Sequence, residues 1–538
     1  MPLPNITDHH SRIQSERAAR RARFAAAASE VSRWLTADAH ELALHEVVAA
    51  LTARLTALAL TALALWAVLR LEDDHVPAVL THGGASYVFH AWRAQPVRTR
   101  FGEFSSFEPV YLRHQGKGPK RLMPHSRRMG LARGRMALGV HLLVANLAAR
   151  MTFKAVGEVA EAFDVWVPGR RAMLGIVDHV GEHAVAMLRA PVAPDPLTEG
   201  THIIIEQDDG GIPHVRPEEL AKRRRPNRRR TRGARTRQEQ RRERRGRRVD
   251  RRRRRTGDKS KNCRMATVYV VYTLAVHEDG TVEGPLNRQV FASTGNKSAL
   301  RRTVKRAAKA RGWGSKPSIY LADGASTHWK AWRSTFHEGT PCVDWYHVAE
   351  YLWQAAEAVF RMTRPVPKGK RAKKAYAAEK KRISKARSAW VRRRQDELFA
   401  GDIDAVEREL ETLADRIGRS GPGTRTRRGK VQSAITYVQN HREFLNYAKV
   451  GDIAMGTGVV ESTIKQLGAR LKGPGMRWSI ERAERVLALR CLQLSDEGAW
   501  TRLTERVREA HEATTSLHVA RISPTQTLSG HNAVRKAA

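Results

Sequence analysis

A chain of 538 residues has room for several domains, each with a core of its own. Lys and Arg outnumber Asp and Glu by 97 to 54, a clustered formal charge of +43 that points to a polyanion partner, most commonly nucleic acid. Three widely separated cysteines, Cys263, Cys342 and Cys491, suggest neither a disulfide framework nor a zinc cage.

In chain order, the first thirty residues are rich in Arg and Ala and read as frayed. Val31 to Leu71 reads as one or two packed helices. No signal peptide is visible. The apolar run between Arg54 and Arg70 is 15 residues long, short of the ~20 a membrane span needs. It reads as a buried helix, in an intracellular protein with no membrane partner. Tyr87 to Arg113 alternates in short runs (YVFHAW, PVRTRFGEF, EPVYLRH), the mark of a small antiparallel β element. Leu138 to Met187 is helical again, with an apolar stripe of Phe153, Val156, Val159, Ala160 and Phe163 and with Pro168 suited to a first helical position. Two helices here are either plain packing or a helix-turn-helix whose second member carries Arg170 and Arg171 into a major groove. Residues 1–195 are thus expected to form an N-terminal helical and β region.

Thr201 to Gln207 is a β-branched run that breaks, on this reading, at Asp208-Asp209-Gly210-Gly211. An Asp at a strand end beside glycines can offer an oxygen ligand, or serve as a turn residue. Lys222 to Arg255 follows, with 21 Lys and Arg against three acids and no apolar periodicity. It predicts a disordered, self-repelling loop that binds phosphate backbones without reading sequence, with strong salt dependence.

Next come Thr267 to Val276, a turn at Glu278 to Thr281, Arg288 to Ser293, a basic helix at Ser298 to Arg311 and a strand at Pro317 to Leu321. A helix at Ser326 to His337 and a short strand at Pro341 to Tyr346 complete the series. With Thr201 to Gln207 in front, the order is βββαβαβ and then helix, an α/β core of the ribonuclease H-like kind. That order makes neighbours of the first and fourth strand ends, so Asp208 and Asp323 should face each other. Clustered carboxylates repel unless a hard cation neutralises them, and Mg²⁺ prefers such oxygen ligands.

Near the C-terminal end, Gly451 to Trp478 places Glu461 in the first turn of a helix, where the dipole favours a carboxylate. Lys465, Arg470, Lys472 and Arg477 follow as a basic exit suited to DNA, although Glu461 and Lys465 also make an ordinary surface pair. Between the two halves of the core, residues 349–450 read as an all-helical insertion. Residues 196–348 and 451–500 are then the two parts of the core, and 501–538 a C-terminal tail, loose beyond about residue 512.

ADGAS at 322–326, CVDWYHVAEYL at 342–352 and GTGVVESTIKQLGARLKGPGMRW at 456–478 resemble bacterial insertion-sequence transposases of the DDE class, of the ISKra-type group. The resemblance implies a ribonuclease H-like domain with catalytic, metal-holding carboxylates at Asp208, Asp323 and Glu461. It also implies a supporting Asp-x-x-His element at Asp344 and His347, which otherwise reads as a polar helix start. Two Mg²⁺ ions, with Mn²⁺ able to substitute, would serve cleavage at transposon ends and strand transfer into target DNA. Partners would be double-stranded DNA, as terminal inverted repeats and target, and at least a homodimer at synapsis; the setting would be the bacterial cytoplasm and nucleoid. The first motif, QDDGGIP, has two Asp where the group has one; spacing to Gly211-Ile212-Pro213 favours Asp208, and Asp209 stays open. Two rivals are a metal nuclease without strand transfer and a non-enzymatic DNA-binding relic.

Overall fold

The computed structural model describes residues 6–72, 76–215, 263–363, 365–417, 423–453, 455–473, 476–496, 498–520 and 522–524. The arginine run 222–255 lies outside them. The chain is a mixed α/β protein with two five-stranded sheets and two compact units, Met1–Ala184 with Gly498–Ala538, and Val185–Glu497.

The first unit opens with helices α1 (Ile6–Ala37) and α2 (Leu44–Glu72). Of the N-terminal residues expected to fray, 6–30 are helical, because Ala and Arg are among the best helix formers. α2 corrects the expectation of a buried helix. Leu44–Leu71 is long and apolar enough to cross a membrane, yet only 6% of its most apolar stretch is buried. Counting from Arg54 had cut the helix short; that arginine sits over the Trp34 ring at 4.2 Å and pairs with Glu30 at 3.1 Å. Burial is confined to the end of α2, where Ala64 and Ala67 meet Val97 and Phe104.

β1 (Val79–His82), β2 (Ala85–Thr99), β3 (Gly102–Gln115) and β4 (Arg121–Leu122) form an antiparallel meander, with the hairpin that alternation predicted between β2 and β3. Its core holds Leu80, Tyr87, Phe89, Tyr111 and Leu122. Helices α3 (Pro124–Arg128), α4 (Leu138–Arg150), α5 (Phe153–Ala162) and α6 (Arg170–Arg189) follow. The connection between α5 and α6, residues 163–169, is longer than the 3–4-residue turn of a helix-turn-helix. Arg170 and Arg171 are exposed at the start of α6.

The second unit is built on β5 (His202–Pro213), β6 (Cys263–Val276), β7 (Val282–Ser293), β8 (Ser318–Ala322) and β9 (Thr340–Val343), in the order β7-β6-β5-β8-β9. β7, β6 and β5 are antiparallel; β8 and β9 join parallel to β5. The parallel steps are bridged by α7 (Lys297–Lys309) and by α8 (Ser326–Ala331), which continues as a π turn. β8 is buried along its whole length, as expected of a parallel strand covered on both faces.

One expectation fails instructively. β5 does not break at the Asp-Asp-Gly-Gly sequence but runs through it to Pro213, with Asp208 opposite Val268 on β6. β6 has 14 residues and supplies ladder partners for the whole segment, which overrides the local turn preference.

Helices α9 (Trp345–Val359), α10 (Lys370–Ala400), α11 (Ile403–Asp415), α12 (Thr424–His441) and α13 (Tyr447–Val450) form the helical insertion. Val406, Leu410 and Leu413, spaced along one face of α11, are buried. α14 (Gly458–Leu471) and α15 (Ile480–Leu494) close the unit. The chain then returns to the first unit. The described part of the expected 501–538 tail is instead α16 (Gly498–Ala520), with Ala499, Leu503 and Val507 buried, and a short strand, β10 (Ile522–Pro524), antiparallel to β1; 525–538 lie outside the described residues.

Candidate metal and nucleic-acid site

β5 and β8 pair in parallel as far as Gln207 and Ala322, so Asp208 and Asp323 are the first residues past the paired stretch on neighbouring strands. Burial lifts the Asp208 carboxyl above its ordinary value, and the charge of Asp323 adds to the lift. Asp208 Oδ1 accepts from its neighbour's amide, Asp209 N, at 2.6 Å. Asp323 Oδ1 accepts from Ala325 N at 2.9 Å and lies 2.7 Å from His328 Nδ1. Burial pushes the Asp323 carboxyl up, but His328 and the Ala325 amide outweigh it and hold it below its ordinary value. The Oδ2 atoms of both aspartates make no hydrogen bond among the described residues.

Alternation along β5 separates the two adjacent aspartates. Glu206, Asp208 and Gly210 share one face, which meets α14: Glu206 Oε2 accepts from Val460 N at 2.7 Å, and a Cβ on Gly210 would lie 3.3 Å from Ile464. Gln207 and Asp209 point to the other face, where Tyr320 donates to Gln207 and Lys297 Nζ pairs with Asp209 Oδ2 at 3.1 Å. Burial raises Asp209, yet His328, Thr267 and Lys297 hold it at about 2. Asp208 is therefore the aspartate on the Glu461 side.

Two site residues were not foreseen from sequence. Glu206 is fully buried, with Oε1 accepting from Tyr272 Oη at 2.6 Å and Oε2 from the first turn of α14. Burial lifts it to about 7 despite those hydrogen bonds. It clamps the helix that carries Glu461. A Glu inside an isoleucine run, two residues before an Asp, was the available signal, because buried carboxylates are rarely unpaired. His328, also buried, lies between Asp323 and Asp209, the latter at 3.9 Å. Its ring nitrogens make no aligned hydrogen bond, so these are charge contacts by distance. Burial opposes the imidazolium, but the two aspartates lift it to about 9.

Glu206 gives a pH prediction. Its folded-state value lies above the ~4.3 of an unfolded Glu, so the unfolded chain ionises first as pH rises. Stability from this group is fully present below about pH 4.3 and falls, on the order of 3 kcal/mol, as pH passes through 7. Glu206→Gln should flatten that slope. Urea midpoints of both proteins from pH 4 to 8 would test it, and parallel curves would refute it.

Asp344 caps α9: its Oδ1 accepts from His347 N at 3.0 Å. Its Oδ2 accepts from Thr457 N at 2.7 Å and from the Thr457 hydroxyl, tying α9 to the start of α14. Burial pushes Asp344 up, but His347 and Thr457 outweigh it and hold it at about 2. Half-buried His347 lies 3.3 Å from Asp344 and is lifted to about 9 by Asp344 first, then by the charges of Asp323 and Glu461. Asp344, His347 and Glu461 have ligating atoms all within 4.8 Å of one another, a spacing at which one metal ion can be held.

The helical insertion supports the second carboxylate. His441 Nε2 meets Gly324 O at 2.9 Å, and a Cβ on Gly324 would lie 2.7 Å from the Tyr437 ring. Only glycine lets α12 approach the turn after Asp323 this closely. Gly324→Ala should displace that turn and lower stability by about 1–3 kcal/mol. Thermal denaturation would show it, and an unchanged midpoint would refute the close approach.

Among the expected DNA-contacting residues, Lys465, Lys472 and Arg477 are exposed. Lys465 pairs loosely with Glu461 at 3.5 Å. Arg470 is a correction: it is buried, with its guanidinium 5.1 Å from the Trp478 ring centroid, and burial lowers it to about 10. Trp478 is itself fixed to the end of β5 through Val215 N at 2.8 Å and Pro213 O at 3.2 Å. Alternating charge and helix ends could not reveal that Arg470 falls on the inner face of α14.

Fold and site together define a mixed α/β chain with acidic side chains gathered where β5, β8, α9 and α14 meet. No protein-family profile and no curated protein match the chain.

Proposed function

We propose that this chain is a DDE-class DNA transposase with a ribonuclease H-like catalytic core, in which Asp208, Asp323 and Glu461 hold Mg²⁺. The observation that carries the reading is the pairing of β5 with β8, which sets Asp208 beside Asp323 on the face covered by the Glu461 helix. The strand order β7-β6-β5-β8-β9, three antiparallel strands and two parallel additions, supports it.

Asp208 and Asp323 offer oxygen donors of the kind a hard divalent cation takes, while among the described residues Glu461 is within metal-holding reach of Asp344 and His347 rather than of these two. Among the described residues Asp208 and Asp323 each keep an oxygen without a hydrogen bond, and the charge of Asp323 opposes the ionisation of Asp208. Bound Mg²⁺ would supply Lewis acidity and neutralise charge on the phosphodiester. Asp344 has both oxygens committed to backbone and hydroxyl donors, so its role is to position His347 and Glu461. A nitrogen ligand from His347 is less suited to Mg²⁺ than to Mn²⁺ or Zn²⁺, which fits an orienting or DNA-contacting role for that side chain. His328 holds Asp323 in place and offsets its charge before a cation binds.

In the reaction, water attacks phosphorus at the transposon end and the 3′ oxygen leaves with a proton as a hydroxyl. That hydroxyl then attacks a phosphodiester of target DNA, expelling another 3′ hydroxyl, with no covalent protein intermediate. Lys465, Lys472 and Arg477 offer backbone contacts beside the carboxylates. The test is end cleavage and strand transfer on DNA carrying the element's own flanking repeats, with Mg²⁺. Cleavage without joining would reduce the reading to a nuclease. Binding without cleavage under any divalent cation would leave a DNA-binding relic.

The arginine run should add affinity through counterion release alone. Deleting 222–255 is expected to flatten the slope of log K against log salt by several units, equally for repeat and random DNA. Loss of discrimination between the two DNAs would contradict this.

A further inference from the structure

The apolar surface of α2 is not random in sequence. Leu44, Leu51, Leu58 and Leu65 recur every seventh residue, and Val48, Leu55, Ala62 and Leu69 recur between them. This is the a/d pattern of a coiled-coil seam, with leucine at every d position. Among the described residues the seam is open: Leu44 is 79% exposed, Val48 55%, Leu55 47% and Leu69 38%, with the others half-buried. Trp66 flanks it, also exposed. The opposite side of α2 is occupied by packing, with Ala64, Ala67, Val68 and Leu71 all buried.

We propose that α2 is a self-association helix, its seam closed by the same seam of a second copy of this chain. Three observations choose this occupant. The seven-residue repeat is what a helix facing its own equivalent requires, because each seam residue must meet a hole in the partner at 3.5-residue spacing. The seam contains no charged residue over its eight positions, so two copies meet without buried charge. At about 60–120 Å² for each fully covered leucine-sized side chain, a partly open seam of this length offers on the order of 300 Å² per copy, which Trp66 and the residues flanking the seam extend toward the ~800 Å² per partner of a stable interface. A lipid surround fits poorly, because the buried side of α2 would have to leave the sheet core it fills. The proposal does not rest on the catalytic reading, although a two-copy protein suits paired DNA ends.

The test uses the full chain, stripped of nucleic acid by nuclease and high salt, without metal. Sedimentation velocity from 0.1 to 20 µM is expected to show a dimer. Val48→Glu with Leu55→Glu should weaken it at least 100-fold while leaving helix content and thermal midpoint nearly unchanged, since both residues are exposed. A wild type that is monomeric throughout overturns the proposal, as does a dimer indifferent to the two substitutions. Flotation of a monomeric wild type with phosphatidylethanolamine–phosphatidylglycerol vesicles would assign the seam to a membrane instead. Because no DNA cleavage is measured, failure here leaves the transposase reading untouched, and the reverse.

Discussion

Asp323→Asn is expected to leave DNA binding within about twofold and to lower Mg²⁺-dependent end cleavage by about 10³-fold or more. Asparagine keeps the shape and can still accept from Ala325 N, the 2.9 Å bond that forms the turn after β8. What it loses is the negative charge opposite Asp208 and the oxygen offered to a cation. A loss of ~4 kcal/mol in transition-state stabilisation corresponds to that factor. The fold should survive, because the substitution also removes repulsion from Asp208, which burial and Asp323 together push up. His328 loses one of the two aspartates that lift it to about 9, and should titrate lower in the variant. Cleavage assays, filter binding and a histidine NMR titration would check the three parts. Unimpaired cleavage by the Asn protein would remove Asp323 from the metal site and with it the catalytic proposal.

Asp344→Ala should be the most destabilising change in the second unit, at about 3–5 kcal/mol. The carboxylate is buried and serves three donors, His347 N, Thr457 N and the Thr457 hydroxyl, besides its charge contact with His347. Loss of an N-cap costs about 1 kcal/mol, and each lost hydrogen bond to a charged group about 1.5–3. Asp344→Asn keeps a good cap and should lose about half as much. The pH dependence has two arms. Asp344, held at about 2, stabilises above the ~3.9 of an unfolded Asp and loses that contribution as pH falls toward 2. His347, lifted to about 9, stabilises below ~6.5 and loses its contribution as pH rises through 9. Removing Asp344 should erase the acid arm in thermal melts and shrink the basic one, since Asp323 and Glu461 still act on His347. If Asp344 positions rather than ligates, the stability loss will be the same with and without Mg²⁺. A loss that grows with Mg²⁺ concentration would make it a ligand.

The elements that sequence located well are those with a local cause. β-Branched runs became β5, β6 and β8; the one-face stripe from Phe153 became α5, with Val156 and Ala160 buried; and Asp344 caps α9, as the polar helix start implied. The elements misjudged are those decided by something distant. The Asp208-Asp209-Gly210-Gly211 segment has turn chemistry, but a long partner strand holds it extended. Residues 522–524 fell in an expected tail, yet they return to pair with β1 across more than four hundred residues. α2 looked like a core helix because it is apolar, and apolarity alone does not say whether this chain or another supplies the cover.

Charge and the order of strands and helices in the second unit were legible in the linear chain, since they follow from composition and short-range period; Asp208, Asp323 and Glu461 were candidates only through that order and the family resemblance. Which of two adjacent aspartates faces the Glu461 helix was not legible, because alternation gives them opposite faces and only the seating of α14 on one of them chooses. Nor were the buried partners. Glu206 and His328 carry no distinctive spacing, and they matter because the fold brings Tyr272, Val460, Asp209 and Asp323 within reach of them. Arg470 shows the same limit from the other side: a basic residue in a basic stretch, turned inward onto Trp478 by the pitch of its helix. Periodicity acts over a few residues, while desolvation and pairing act through space, so burial and its charge shifts were settled only by tertiary packing.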